Sequence, residues 1–458
     1  MKLNVQSSVF LVVISILIYI CGFCRNTVAI STGPSHGKLV VCYVGTWSVY
    51  RPTRGLFALE HIDPSLCTHI IYAFAGLNVT HDSIRSLDPW QDLTEDYGKG
   101  GYKRIVDLKN SYPHLRVTLA IGGWNEGSAN YSALVKDPAR RQKFIASAVD
   151  FIRKYNFDGL DLDWEFPGKR GGSPDDKLNF LHLVKGLRSA FNKFNLLLTA
   201  AFGAGKDTID IAYDVQGLSY YLDYIHLMCY DYHGSWDEKT GSNAPLKSSD
   251  VLNVEYSIKY MLKLGAPREK LVMGVPLYGR TFILHDSSLL SKTGKPKLGI
   301  AAKTVGFQGP FTRENGFMGY NEICLELQNT TAGYVEHWDE ESRTQYAISG
   351  ENVITFDNER SIAEKVKFAM EQKLGGIMVW SVDTDDFQGD CGDKNFPLMR
   401  AINKAIEKSL QEIKEDEENT IAPASPEDEK FYDKASSARI ANNCFVIYVV
   451  LVLVSYFK

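Results

Sequence analysis

Short apolar runs recur along the chain, spaced too regularly for loops and too far apart for one continuous helix. They fall at 39–44, 69–75, 116–122, 159–163, 196–201, 224–228, 271–275 and 376–380, each five to seven residues long. Runs of this length, bounded by Gly, Pro or polar residues, are the pattern of strands buried on both faces. Between them, stretches such as 140–154 and 176–191 place apolar residues three and four apart and predict amphipathic helices. Eight buried strands alternating with helices predict an α/β fold, a parallel (β/α)8 TIM barrel. The interval between the seventh and eighth runs is about 100 residues, far more than one helical crossover needs. An inserted α+β subdomain over about 281–353 is predicted there, between strands 7 and 8, walling one side of the barrel mouth.

The fourth run departs from the others in its polar content. It lies within Phe157-Asp158-Gly159-Leu160-Asp161-Leu162-Asp163-Trp164-Glu165-Phe166-Pro167-Gly168, where four acids stand among apolar residues. Alternate side chains of a strand share a face, so Asp161, Asp163 and Glu165 form one row opposite Leu160, Leu162 and Trp164. Pro167 and Gly168 stop the strand and leave Glu165 at its C-terminal end, the catalytic face of a barrel. Carboxylates this close in a partly dry site cannot all stay ionised, and at least one keeps its proton at neutral pH. Such an acid can protonate a leaving oxygen, as a glycoside hydrolase requires. The same row could instead hold calcium or magnesium, which take carboxylate oxygens. A solvated edge strand is a third reading, opposed by the apolar alternation and Trp164.

Charge and cysteine usage narrow the setting. The net charge is −5 without any basic block, so no nucleic-acid partner is expected. The 24 Tyr and 23 Phe offer flat apolar faces that suit sugar rings as well as a core. Lys2, an apolar run over 9–23 and the small residues Thr27-Val28-Ala29 read as a secretory signal peptide over 1–29, with an uncleaved signal anchor as the alternative. Sequons place N-glycosylation at Asn78, Asn130 and Asn329, in keeping with an extracellular protein. Outside the leader and the tail, the cysteines are Cys42, Cys67, Cys229, Cys324 and Cys391. Four of them can form two bridges, and spacing alone leaves the connectivity open. Cys229, in an apolar strand, reads as a buried free thiol.

The folded body is placed at 30–410. Residues 411–434 are acidic and Pro-containing without apolar periodicity, and read as a disordered linker. Over 435–458, small residues (Ala435-Ser436-Ser437-Ala438), a polar spacer and an apolar end from Cys444 fall short of the roughly 20 residues of a membrane span. They read as a glycosylphosphatidylinositol-attachment signal or, alternatively, a hydrophobic tail anchor. Membrane attachment through this tail is expected, on a protein that is secreted or at the cell surface.

The motif Asp158-x-x-Asp161-x-Asp163-x-Glu165 resembles the D-x-x-D-x-D-x-E signature of glycoside hydrolase family 18, and the chain resembles the animal chitinases of that family from about residue 40 to 405. Further segments agree in order. Ala120-Ile121-Gly122-Gly123-Trp124-Asn125 is similar to the third-strand motif, with Ala120 where much of the family has serine. Met228-Cys229-Tyr230-Asp231-Tyr232-His233-Gly234-Ser235-Trp236 is similar to the sixth, Pro276-Leu277-Tyr278-Gly279-Arg280 to the seventh, and Gly375-Gly376-Ile377-Met378-Val379-Trp380-Ser381 to the eighth. Tyr320-Asn321-Glu322-Ile323-Cys324 resembles a strand of the family's subdomain.

The resemblance implies a monomeric chitinase without metal or cofactor. It would cut internal β-1,4 bonds of chitin and chito-oligosaccharides with retention, the substrate's own acetamide acting as nucleophile. Glu165 is then the acid and base. Asp163 orients the acetamide, Asp161 shares charge and a proton with it, and Tyr230 donates to the acetamide oxygen. Substrate-binding positions implied are Tyr43, Trp47, Phe74, Gly123, Trp124, Met228, Asp231, Trp236, Tyr278, Arg280 and Trp380. The implied disulfides are Cys42–Cys67 and Cys324–Cys391. His69, His226 and His233 take structural readings. Two rivals are a chitin-binding lectin, which would lack the acid at the position of Glu165, and an endo-β-N-acetylglucosaminidase acting on glycoprotein glycans.

Overall fold

The computed structural model describes residues 32–286 and 297–421. The signal-peptide reading at 1–29, the tail reading at 435–458 and the linker reading over 422–434 lie outside the described residues.

All eight predicted runs form strands. β1 (Leu39–Gly45) and β2 (His69–Asn78) are followed by a short β3 (Ser83–Ser86), then β4 (Arg116–Gly122), β5 (Gly159–Asp163), β6 (Leu197–Gly203), β7 (Tyr224–Met228) and β8 (Leu271–Pro276). An inserted group comprises β9 (Tyr278–Ile283), β10 (Phe317–Gly319), β11 (Val335–Asp339), β12 (Thr344–Ser349) and β13 (Asn352–Phe356), and β14 (Gly376–Trp380) comes last. Parallel pairing runs β1-β14-β8-β7-β6-β5-β4-β2, and β1 pairs with β2 to close the barrel. Closure leaves no exposed edge in the ring; β3 adds antiparallel to the far end of β2.

Helices cover the outside of the ring. Pro138–Lys154 starts where Asp137 accepts the Ala139 and Arg140 N–H groups at 2.7 and 3.3 Å, with proline in the first turn. Its buried residues Phe144, Ile145, Ala148, Val149 and Ile152 repeat at three- and four-residue steps, which makes one apolar stripe against the strands. Inside the barrel, Val41, Tyr43, Ile71, Ala73, Ala120, Val272 and Met378 form an apolar plug. The register sets Ala120 beside Asp161 and Asp161 beside Thr199, so the polar row begins within this packed lumen.

The insertion is a five-stranded antiparallel sheet in the order β10-β9-β13-β12-β11, built on Met318, Ile323, Ala347, Ile354 and Phe356. It starts at Tyr278 and ends at Phe356, a few residues outside the expected bounds. Residues 320–324 correct the reading from sequence: they are the first turns of a helix, Tyr320–Gln328, not a strand. The reason is Glu322, whose carboxylate reaches back to the Gly319 N–H at 2.8 Å and occupies an otherwise unpaired donor at the helix start. Leu277 joins insertion and barrel, donating its N–H to the Trp380 carbonyl at 2.9 Å while its carbonyl accepts from Tyr320 at 3.0 Å.

Disulfides Cys42–Cys67 and Cys324–Cys391 are present, and Cys229 is a buried free thiol. Their sequence separations of 25 and 67 correspond to roughly 3–4 kcal/mol each in the chain-entropy account of cross-linking.

The chain divides into one unit through Glu407, holding barrel and insertion, and a second from Lys408. In the second, the described residues are helical, because the last helix runs Pro397–Ile421. This corrects the unstructured reading over 411–421. Residues with good helix propensity and pairs one turn apart, Lys408–Glu412, Gln411–Glu415 and Lys414–Glu418, favour the helix without any apolar face. Among the described residues, no helix is long and apolar enough to cross a membrane.

Candidate active site

The four acids of the β5 segment do different things. Asp158, just before the strand, accepts the Val117 N–H at 2.7 Å and pairs with Lys109 at 2.9 Å, so it ties β4 and β5 together at the N-terminal end of the barrel. Asp161 is fully buried in the lumen. Its Oδ2 accepts from the Tyr43 hydroxyl at 2.6 Å and its Oδ1 from Thr199 at 2.5 Å. His226 Nδ1 lies 3.1 Å from both Asp161 Oδ1 and the Tyr43 hydroxyl. With Ala120 beside it on β4 offering no side-chain partner, Asp161 is paired by β1, β6 and β7 instead.

Asp163 is the next inward residue. It is buried, and its Oδ1 has no hydrogen-bond partner within the protein. Burial first, and then the charges of Glu165 and Asp161, push its carboxyl well above the usual carboxylate range. Glu165 stands two residues beyond the end of β5, at the mouth. Burial, reinforced by the negative charge of Asp231 and partly offset by Arg170, pushes it up to about 7. The site thus holds an acid that keeps its proton through mildly acidic pH and loses it around neutrality, beside a carboxyl oxygen that no protein group uses.

The ends of β4 and β5 meet at Gly122 and Gly123, whose φ values are +117° and +84°. A side-chain carbon on Gly122 would lie 2.1 Å from the Asp163 carbonyl, and one on Gly123 2.8 Å from the Phe74 ring. Only glycine tolerates both the backbone angle and the crowding. The Gly123 N–H donates to the Asp163 carbonyl at 2.7 Å, which sets Trp124 beside the acids.

Aromatic rings line the mouth. Trp47 and Phe74 stack at 6.1 Å, Phe74 and Trp380 at 5.8 Å, and Tyr43 meets Trp380 edge-on at 5.5 Å. Trp47, Trp124 and Trp236 are 45%, 58% and 53% exposed, whereas Trp164 is 3% exposed. The first three offer free faces, and the last is core. Arg170 lies 3.5 Å over the Trp124 ring and donates to the carbonyls of Trp124 and Glu165 at 2.9 and 3.0 Å, fixing the ring against the acid.

Across the mouth, Tyr230 is half-buried against Met378, its hydroxyl held protonated above all by burial. Asp231 accepts from the Tyr278 hydroxyl at 2.6 Å and from Arg280 Nε at 2.8 Å. Met228 packs against the lumen plug. The structure therefore brings Glu165, Asp163, Tyr230 and the other predicted binding residues together at one end of the barrel, whereas Asp161 and Tyr43 lie beneath them in the packed lumen, where Tyr43 supports Asp161 and offers no free face. Of the sequon asparagines, Asn130 and Asn329 are exposed, while Asn78, at the end of β2, is half-buried and accepts from the Thr80 and His81 N–H groups.

Several contacts to the site went unrecognised in the sequence. His226, read only as structural, lies two residues before Met228 on β7, so strand alternation already put it on the inward face beside Asp161. Thr199 carries a weaker version of the same signal. Arg51 and Asp383, an ion pair at 2.7 Å that ties the loop bearing Trp47 to the segment after Trp380, come from opposite ends of the chain with no local signal.

Comparison with known proteins follows the same outline. The family model described as glycosyl hydrolases family 18 matches residues 39–385. The chain is 52% identical over 438 residues to "Probable chitinase 2" of Drosophila melanogaster, covering 88% of this chain and 89% of that one. It is 37% identical over 376 residues to the "Endochitinase" of Manduca sexta, covering 80% and 67%. Among solved structures, the Group IV chitinase of Ostrinia furnacalis in complex with allosamidin is 42% identical with a TM-score of 0.77, covering 81% of this chain and 99% of that one.

Proposed function

This chain belongs to glycosyl hydrolase family 18, and from that premise we propose that it is a chitinase cutting internal β-1,4 bonds of N-acetylglucosamine polymers by substrate-assisted, retaining catalysis. The observation that carries the reading is the pairing of Glu165, held at about 7, with the unpartnered oxygen of Asp163 under an aromatic mouth. Glu165 gives its proton to the glycosidic oxygen as the bond breaks. The acetamide carbonyl of the same sugar attacks C1, forming an oxazolinium ion. The free Asp163 oxygen accepts the acetamide N–H and stabilises the positive charge that develops there. Tyr230 donates to the acetamide oxygen, Asp231 helps place the sugar, and Trp380 lies under it. Water then opens the ion on the same face, with Glu165 as base. Trp47, Trp124 and Trp236 stack on neighbouring sugars, and relatives named as chitinases support chitin as the polymer. The test is purified protein on chito-oligosaccharides with the anomer of the first product determined. A β product supports the reading; an inverted product or no cleavage sinks it.

The pH dependence follows from the sign of the Glu165 shift. The reactive form is protonated, so kcat/KM should hold on the acid side and fall as pH rises through about 7. A profile still rising beyond neutrality would remove Glu165 as the acid.

The extracellular and lipid-anchored location belongs to the same proposal and rests on the ends of the sequence. One acyl chain alone holds proteins marginally, whereas a two-chain anchor is stable. The protein should fractionate with membranes and be released by phosphatidylinositol-specific phospholipase C. Membrane-bound protein that resists the enzyme and keeps its tail would favour the tail anchor instead.

A further inference from the structure

Asp231 lies beyond the end of β7 with φ at +57°, in the left-handed region. A non-glycine residue stays there only where its surroundings hold it. Here they centre on Asn243, which is 1% exposed. Its Oδ1 accepts the Asp231 N–H at 3.0 Å, and its carbonyl accepts the Tyr232 N–H at 3.1 Å. Its Nδ2 donates to the Tyr278 carbonyl at 3.2 Å. Tyr278 returns to the same place, because its hydroxyl donates to Asp231 Oδ1 at 2.6 Å, and Arg280 grips that oxygen at 2.7 Å. One buried amide thus fixes the backbone of Asp231 and the strand that holds its carboxylate. Buried amides with both ends paired are costly to disturb, since each freed group loses water and partner alike.

We propose that Asn243 is a positioning residue: it holds the Asp231 carboxylate at the site mouth and, through it, sets the charge that faces Glu165. The inference rests on the reading of Glu165 as the acid. Glu165 is faced by Asp231 and Tyr230 from the loop after β7, by Arg170 from its own loop, by Asp163 from β5 and by the neutral Tyr213 hydroxyl from the segment between β6 and β7; Asp231 is faced by Tyr278 and Arg280 from β9 and by Tyr230. Of the groups that act on Glu165, Asp231 is the negative one across the cleft. If its carboxylate drifts away, Glu165 loses its proton at lower pH.

The test compares Asn243→Ala, Asp231→Asn and the double variant in the full chain. It measures steady-state rates on a chito-oligosaccharide across pH, allosamidin affinity by calorimetry, and melting temperature. Asn243→Ala should lower kcat on the order of 10²-fold. It should also move the alkaline limb of kcat/KM down by roughly half a pH unit or more. The double variant should be no slower than Asp231→Asn alone, because both act on one element. Independent losses that multiply, or an unmoved limb in a variant with slowed turnover, would overturn the proposal. Ser242→Ala is the structural control, since Ser242 bonds Ser342 and Thr344 rather than the Asp231 turn. It should leave the limb in place, and an equal shift there would also count against Asn243. Should the alanine variant not fold, Asn243→Ser carries the same test with smaller losses. If wild-type enzyme shows no limb near neutrality, the acid assignment fails instead. Allosamidin affinity then decides Asn243 by itself: about tenfold weakening in Asn243→Ala supports positioning, and unchanged affinity refutes it.

Discussion

Glu165→Gln should turn over chito-oligosaccharides on the order of 10³-fold more slowly than the wild type and still bind them. Glutamine keeps the shape of the side chain and its reach to the glycosidic oxygen. It has no proton to give at any working pH, and it cannot serve as base when water opens the intermediate. The neutral amide also removes a charge from beside Asp163, whose carboxyl the ionised Glu165 helps to hold protonated. Asp163 should then titrate lower in the variant, which leaves the acetamide contact intact. Single-turnover rates and calorimetric binding to the same oligosaccharide separate the two effects. Near-normal turnover would remove Glu165 from the mechanism, and loss of binding alongside turnover would point to a collapsed site rather than a missing proton.

Fully deacetylated chitosan should not be cut at all, while partly acetylated chitosan should be cut only where an N-acetylated sugar precedes the scissile bond. The expected loss exceeds that of any single side chain, because the nucleophile itself is absent. Intramolecular attack draws on an effective concentration of roughly 10⁵ M or more, which no passing water can replace. The protein side of this prediction is the Asp163 oxygen that no hydrogen bond inside the molecule uses. A buried acceptor left open costs stability unless a ligand fills it. Sequencing the sugars at the new ends of the products decides the matter. Efficient cleavage of the fully deacetylated polymer would demand a protein nucleophile.

Much of this was legible because strands have a period of two. The row Asp161, Asp163 and Glu165 could be read directly, since every second residue of a short strand faces one way. The barrel was legible from eight apolar runs, because strands buried on both faces leave few polar positions to confuse the pattern. The same rule puts His226, read from sequence only as lining its strand, on the inward face one step below Met228, beside Asp161. The family resemblance misled at residues 320–324, read as a subdomain strand, where a single carboxylate, Glu322, caps the start of a helix. Period-two alternation was silent on Arg51 and Asp383, which only the closed ring brings together, and on Asn243, whose bonds to Asp231, Tyr232 and Tyr278 are made in irregular chain beyond β7. Residues 411–421 failed for a different reason. Helicity there comes from propensity and pairs one turn apart, not from an apolar face, and the charge was read as disorder.

Asp158 and Glu165 lie just outside the two ends of β5, one binding the neighbouring strand and the other reaching the mouth. The segment between them therefore works as a gauge block, whose length matters more than its spelling. Several of its apolar letters could change without disturbing either end. The loss of one residue would be different in kind. With Asp158 still pinned to Val117, every later side chain would turn to the opposite face, sending carboxylates into the helix layer and leucines into the lumen. In this stretch a frame-preserving deletion of a single codon, even one for an unremarkable leucine, should harm the enzyme more than exchanging that leucine for another apolar residue.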